Sequence, residues 1–168
     1  MLRFLAAGAL GAAVLVVTVN SSSGEDKKAP KTLGKIERLD PALDAIVAPG
    51  AAMEIVAEGF DWSEGPLWVR EGGGYLLFSD IPPNRIHKWT PGQGASVYLN
   101  QSGYLGPIPR PNNIAPDEPG SNGLTLDPSG RLVLAQHGNR QVARMDAPLS
   151  KPQAKYVPVA AKYSSPNK

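Results

Sequence analysis

The 168-residue sequence contains no cysteine and only two histidines, His87 and His137. Disulfides, thiolate zinc sites and a cysteine nucleophile are therefore excluded. A metal ion would have to be bound through oxygen or imidazole, which suits Ca²⁺, Mg²⁺ or Mn²⁺ and also allows Zn²⁺. No Gly-x-Ser-x-Gly segment occurs either, so the sequence does not support a serine hydrolase.

Charge is also sparse, with 19% charged residues and a formal net charge of +2. The basic residues are scattered apart from a short group at 27–35. Because a nucleic-acid interface needs a clustered basic face, we expect no nucleic-acid partner. Glycine and proline are abundant, at 18 and 17 residues, and they separate short apolar runs. This pattern is typical of short strands joined by turns and argues against a helical bundle.

Arg3 precedes an uncharged run at 4–19 that is built mainly of Leu, Ala, Val and Gly. The run is shorter than the roughly 20 apolar residues that span a bilayer, and it is typical of a secretory signal. We therefore expect residues 1–22 to be a signal peptide or an N-terminal anchor, with the folded part periplasmic or secreted and no other membrane contact. Residues 23–50 are predicted to be a linker, in which Asp40 and Pro41 would begin one short helix.

Residues 51–168 contain an internal repeat. Its copies comprise matching strand-like runs at 64–69, 75–80, 84–89 and 95–100, then at 122–127, 131–135, 139–144 and 154–161. Four strands per unit are typical of a β-propeller blade. The alternative is a pair of unrelated meanders in a β-sandwich. An Asn-Arg pair at the same place in each copy, at 84 and at 139, favours the repeat.

Between the copies lies a segment rich in proline and asparagine, 103–120, which cannot be a central strand because proline lacks an N–H donor. We predict a long loop at one mouth of the propeller. A blade needs neighbours on both faces. We therefore expect an incomplete all-β propeller of about two four-stranded antiparallel blades plus the start of a third, belonging to a longer, monomeric protein and inactive by itself.

Several segments together resemble the gluconolactonase and senescence-marker-protein family. They are SEGPLWV at 63–69, YLLFSDIP at 75–82, NRI at 84–86, SNGLTLD at 121–127, GRLV at 130–133 and HGNR at 137–140. The resemblance implies a six-bladed propeller with one divalent cation on its axis, Ca²⁺ being the first candidate and Zn²⁺, Mn²⁺ or Mg²⁺ the alternatives. It also implies that a glutamate of the first blade binds this cation, and the matching residue is Glu64.

The implied activity is hydrolysis of a small-molecule sugar lactone to the aldonic acid. Asn167 matches a position that contacts substrate in the family. By repeat alignment Asn122 takes the place of Glu64 and is predicted to face the channel as a second substrate-binding residue, the alternative being a side chain that stabilises a turn. His137 is a candidate proton relay, although a structural role is equally compatible with its place at a strand end.

Less specific interpretations stay open. Glu64 could be a solvated carboxylate at the start of a strand, and the whole protein could be a non-catalytic propeller scaffold that binds carbohydrate or protein. The gene product could also be cut short and inactive. Two structural expectations complete the prediction: Asp80 caps the turn that follows it, and the three tryptophans, Trp62, Trp68 and Trp89, pack between blade faces.

Overall fold

The structure, a computed structural model, describes residues 30–106 and 118–161. The expected signal segment and Asn167 lie outside these residues. The helix expected near Asp40 is a short 3₁₀ helix, Pro41–Ala45. Its start follows from the sequence, because the Asp40 side chain accepts a hydrogen bond from the Ala42 N–H at 2.7 Å and Pro41 occupies the first helical position.

Eight strands form two separate four-stranded antiparallel sheets, with strand orders β1-β2-β3-β4 and β5-β6-β7-β8. Their bounds are β1 Ser63–Val69, β2 Tyr75–Asp80, β3 Arg85–Thr90, β4 Gly94–Asn100, β5 Ser121–Leu126, β6 Leu132–Gln136, β7 Gln141–Met145 and β8 Tyr156–Ala160. Each strand falls on a run predicted from the sequence. The fold is a partial β-propeller of two blades, since sequential up-and-down strands complete each sheet before the next begins.

The inner strands of the two blades correspond in their pairing, as the repeat predicts. Ser63 pairs with Asp80 in the first blade, and Ser121 pairs with Gln136 in the second. The proposed match between the two Asn-Arg pairs is off by one residue. The turn after the second strand ends at Asn84 with φ 58° in one blade and at Arg140 with φ 55° in the other. The feature that the two blades share is thus a turn residue in the left-handed conformation. The match based on residue identity alone placed the second copy one residue too early.

A single hydrophobic core fills the space between the two blades. Its members come from both sheets, and the largest fully buried ones are Leu77, Ile86, Leu132, Leu134 and Met145. Burial of each such side chain stabilises the fold by about 2 kcal/mol. The core therefore joins the blades into one unit.

The outward faces of the pair are less covered. Trp62 and Trp68 are 46% and 49% exposed and Trp89 is half-buried, so the two described blades enclose none of the three rings completely. Because neighbouring blades complete the faces of a blade, the packing of these rings between blade faces stays a prediction. Among residues 30–106 and 118–161, no helix has the length and apolar character needed to cross a membrane.

Candidate functional site

The candidate residues collect at one end of the two blades, which we call the upper rim. It is defined by the first residues of β1 and β5 and by the last residues of β2 and β6, which are cross-strand neighbours in each blade. Glu64 and Asn122 are the second residues of the two inner strands. His137 directly follows β6. Antiparallel pairing thus places all three sequence-predicted residues at the same end of the molecule.

Glu64 is half-buried and borders a shallow, mainly apolar hollow of about 230 Å³, together with residues such as Val56, Phe60 and Phe78. No hydrogen bond or ion pair joins its side chain to another residue of the described ranges. A partly buried carboxylate that lacks a partner is unfavourable unless something coordinates it. Glu64 is therefore open to an external ligand.

Asn122 lies against the backbone next to Glu64. A Cβ atom on Gly65 would come within 2.2 Å of the Asn122 carbonyl oxygen, and Gly65 has φ +58°. The same carbonyl accepts a hydrogen bond of 2.8 Å from the hydroxyl of Ser79, the cross-strand partner of Glu64. The Asn122 side chain itself is exposed. The repeat-equivalent residues of the two blades are thus neighbours at the rim, while the role of the Asn122 amide stays a prediction.

Asp80 holds the segment that leads into β1. Its carboxylate is 4% exposed and accepts hydrogen bonds from the N–H groups of Asp61 and Trp62, the shortest being 2.8 Å. The prediction that Asp80 caps the turn after β2 is wrong. It accepts instead from a segment 18 residues earlier in the chain. The sequence around a turn does not predict a partner so far away.

His87 packs below Asp80. Its ring contacts both Phe60 and Phe78, with centroid distances of 4.8 and 5.5 Å, and its Nε2 atom is 3.7 Å from the Asp80 carboxylate. Burial lowers the pKa of His87, and the Asp80 charge opposes that shift only in part. Nε2 has no hydrogen-bond partner within the described ranges. His87 is thus a neutral packing residue.

A buried polar network fixes the base of the long loop between the blades. Asn84 donates from Nδ2 to the Tyr104 carbonyl and accepts at Oδ1 from the Gly103 N–H, both at 2.8 Å. Gln136 donates to the Ser102 carbonyl at 3.0 Å. Sequence reasoning missed these residues because each side chain is bonded to a backbone group of a different segment. The network ties the base of the loop to both blades.

His137 stands beside this loop base. Its Nδ1 atom is 2.8 Å from the Glu118 carboxylate, and its side chain is 42% exposed. The middle of the loop, 107–117, lies outside the described residues. A histidine that is oriented by a carboxylate and open to solvent has the requirements of a proton relay. Glu118 was not identified from the sequence.

The described residues could supply part of a metal site. Within ranges 30–106 and 118–161, no group of three or more His, Asp or Glu side chains converges as a metal site requires. Glu64 nevertheless offers an uncommitted carboxylate, and Ca²⁺ needs six to eight oxygen ligands. Glu64 thus fits a divalent cation as one ligand, and the other ligands would have to come from outside the described ranges.

Comparison with known proteins identifies a family. Residues 62–167 match the family described as SMP-30/Gluconolactonase/LRE-like region. The chain is 39% identical over 134 residues to a gluconolactonase of Zymomonas mobilis subsp. mobilis, an alignment that covers 80% of this chain and 36% of that protein. It also superposes on a gluconolactonase structure from Xanthomonas campestris with a TM-score of 0.54 and 23% identity, covering 82% of this chain and 37% of the other. The latter likeness supports the propeller fold alone. The chain thus spans little more than a third of the length of these relatives.

Proposed function

The chain belongs to the SMP-30/gluconolactonase/LRE-like family, and we propose from this membership that the full-length protein hydrolyses a sugar lactone. The observation that carries the proposal is the uncommitted, half-buried carboxylate of Glu64, which lies beside Asn122 at the upper rim. In the reaction, water adds to the lactone carbonyl carbon and the ring C–O bond breaks. The ring oxygen takes up a proton, and an open hydroxy acid leaves.

Four residues of this chain receive roles. Glu64 binds a divalent cation, with Ca²⁺ as the first candidate and Zn²⁺, Mn²⁺ and Mg²⁺ as alternatives. When bound, such a cation would polarise the lactone carbonyl and make water a better nucleophile. Asn122 binds substrate through its amide, and His137 moves the proton between water and the ring oxygen. Asn167 is proposed as a further substrate contact.

The segment at 1–22 supports a proposal about location and assembly. Its uncharged run behind Arg3 would direct the chain out of the cytoplasm, with or without cleavage. The partner we propose is a small sugar lactone, bound by a monomer once the propeller is complete. N-terminal sequencing of the mature protein from a periplasmic or culture fraction tests the export. Recovery of the intact chain in the cytoplasm would contradict it.

The decisive experiment for the activity uses the full-length protein. It is stripped of metal with a chelator, then assayed for opening of glucono-lactone by pH-stat titration, before and after each cation is returned. We expect opening to depend on one of these cations. If lactone binds but opens at the uncatalysed rate with every cation, the scaffold function replaces the enzyme.

A further inference from the structure

The upper rim carries a second carboxylate, Glu118, that the roles proposed above do not use. Its Oε2 atom lies 2.8 Å from Nδ1 of His137, and the two side chains are 26% and 42% exposed. An ion pair with this exposure contributes little to the stability of the fold. Stability therefore does not explain why the histidine is oriented in this way.

The backbone segments that carry the two residues pack closely against each other. Pro119 and Gly138 follow the two residues in sequence, and a Cβ on Gly138 would lie 2.4 Å from the Pro119 carbonyl oxygen. The N–H of Gly120 donates to the Ile81 carbonyl at 3.0 Å. Two closely packed segments thus present Glu118 and His137 to each other, as a preorganised functional pair requires.

We infer, on the basis of the proposed function, that Glu118 is a positioning residue that orients His137 for proton transfer. Its carboxylate accepts the hydrogen of Nδ1 throughout the reaction. Nε2 of His137 is then the atom that exchanges protons. It takes a proton from the water molecule as the water oxygen bonds to the lactone carbonyl carbon. It returns that proton to the ring oxygen as the ring C–O bond breaks, so lactone and water yield the hydroxy acid with the imidazole unchanged.

The kinetic test uses the full-length protein with the variants H137A, E118Q and both together. H137A is expected to lower kcat by about 100-fold or more with little change in KM, because a general acid-base group contributes at least that much. E118Q keeps a hydrogen-bond acceptor but loses the charge, and we expect a loss of about tenfold. Because Glu118 acts through His137, the double variant should be no slower than H137A.

Added imidazole supplies a further readout. It should restore part of the activity of H137A and none of the activity of E118Q, whose own imidazole is still present. The matched control is E58Q, since Glu58 forms an exposed ion pair of 2.6 Å with Lys31. This control should keep wild-type kcat. The inference is overturned if E118Q also keeps wild-type kcat. It is likewise overturned if kcat of the double variant is a further tenfold below that of H137A.

A spectroscopic measurement separates this inference from the proposed function. Side-chain ¹⁵N spectra at alkaline pH, with the His137 signals assigned by their loss in H137A, should show the hydrogen on Nδ1. A hydrogen on Nε2 would overturn the pairing even in an active enzyme. If the wild-type protein opens no lactone, the proposed reaction fails, while the same spectrum still decides whether Glu118 orients the ring.

Discussion

At the scale of single residues, Glu64 is distinguished by the lack of any bonded partner within the described ranges. In the full-length protein, E64Q should lower lactone opening by at least about 100-fold, because the amide is a poorer ligand than the carboxylate for a hard cation. Folding should be unaffected, since no hydrogen bond or ion pair is lost. An activity assay checks the loss of lactone opening, and circular dichroism checks that the fold is unchanged. An unchanged rate would remove the metal role of Glu64.

His87 makes a second residue-scale prediction, about stability and pH. Burial lowers its pKa in the folded state below the ordinary value of 6.5. At a pH below about 6.5, His87 therefore binds a proton more readily in the unfolded chain than in the folded one. The free energy of unfolding should fall as the pH drops through this range. H87F preserves the ring packing against Phe60 and Phe78 and should flatten this fall.

Urea unfolding of the full-length wild type and H87F at several pH values measures the effect. Parallel pH curves for wild type and H87F would contradict the account of His87.

At the scale of elements, the approach of β1 to β5 depends on Gly65. G65A should destabilise the protein by about 2 to 4 kcal/mol, because a left-handed alanine is strained and its Cβ would meet the Asn122 carbonyl at 2.2 Å. Gly72 offers a matched control. Its φ is +61°, but no atom lies within 4 Å of an added Cβ, so G72A should lose only the conformational part, about 1 kcal/mol. Equal midpoints in urea for the two variants would show that the contact between blades carries no energy.

At the scale of the whole molecule, two blades leave apolar side chains on their outward faces. Four large apolar residues of the described strands are more than 40% exposed: Trp68, Val97, Val157 and Val159. Repeat folds need neighbouring units to bury such faces. Residues 1–168 expressed by themselves should therefore bind a hydrophobic dye strongly and open no lactone. Robust turnover by this chain with any of the four cations would contradict both the fold argument and the proposed site.

The sequence by itself determined the strands, the two blades and the positions of Glu64 and Asn122 in them. Alternating apolar residues and Gly or Pro turns are local signals, and a repeat transfers the position of one strand to its copy. The same reasoning failed at Asn84 and Arg140, where a shared dipeptide was a weaker guide than the left-handed conformation of the turn.

Only the tertiary structure decided which groups the polar side chains meet. Asp80 bonds to the segment before β1, Gln136 bonds to the loop base, and Glu118 pairs with His137 across 19 residues of sequence. A side chain's own sequence neighbourhood sets its secondary structure, because strand and turn preferences act over a few residues. Its partner is set by which distant segments the packed core brings together, and that depends on the whole arrangement of the blades.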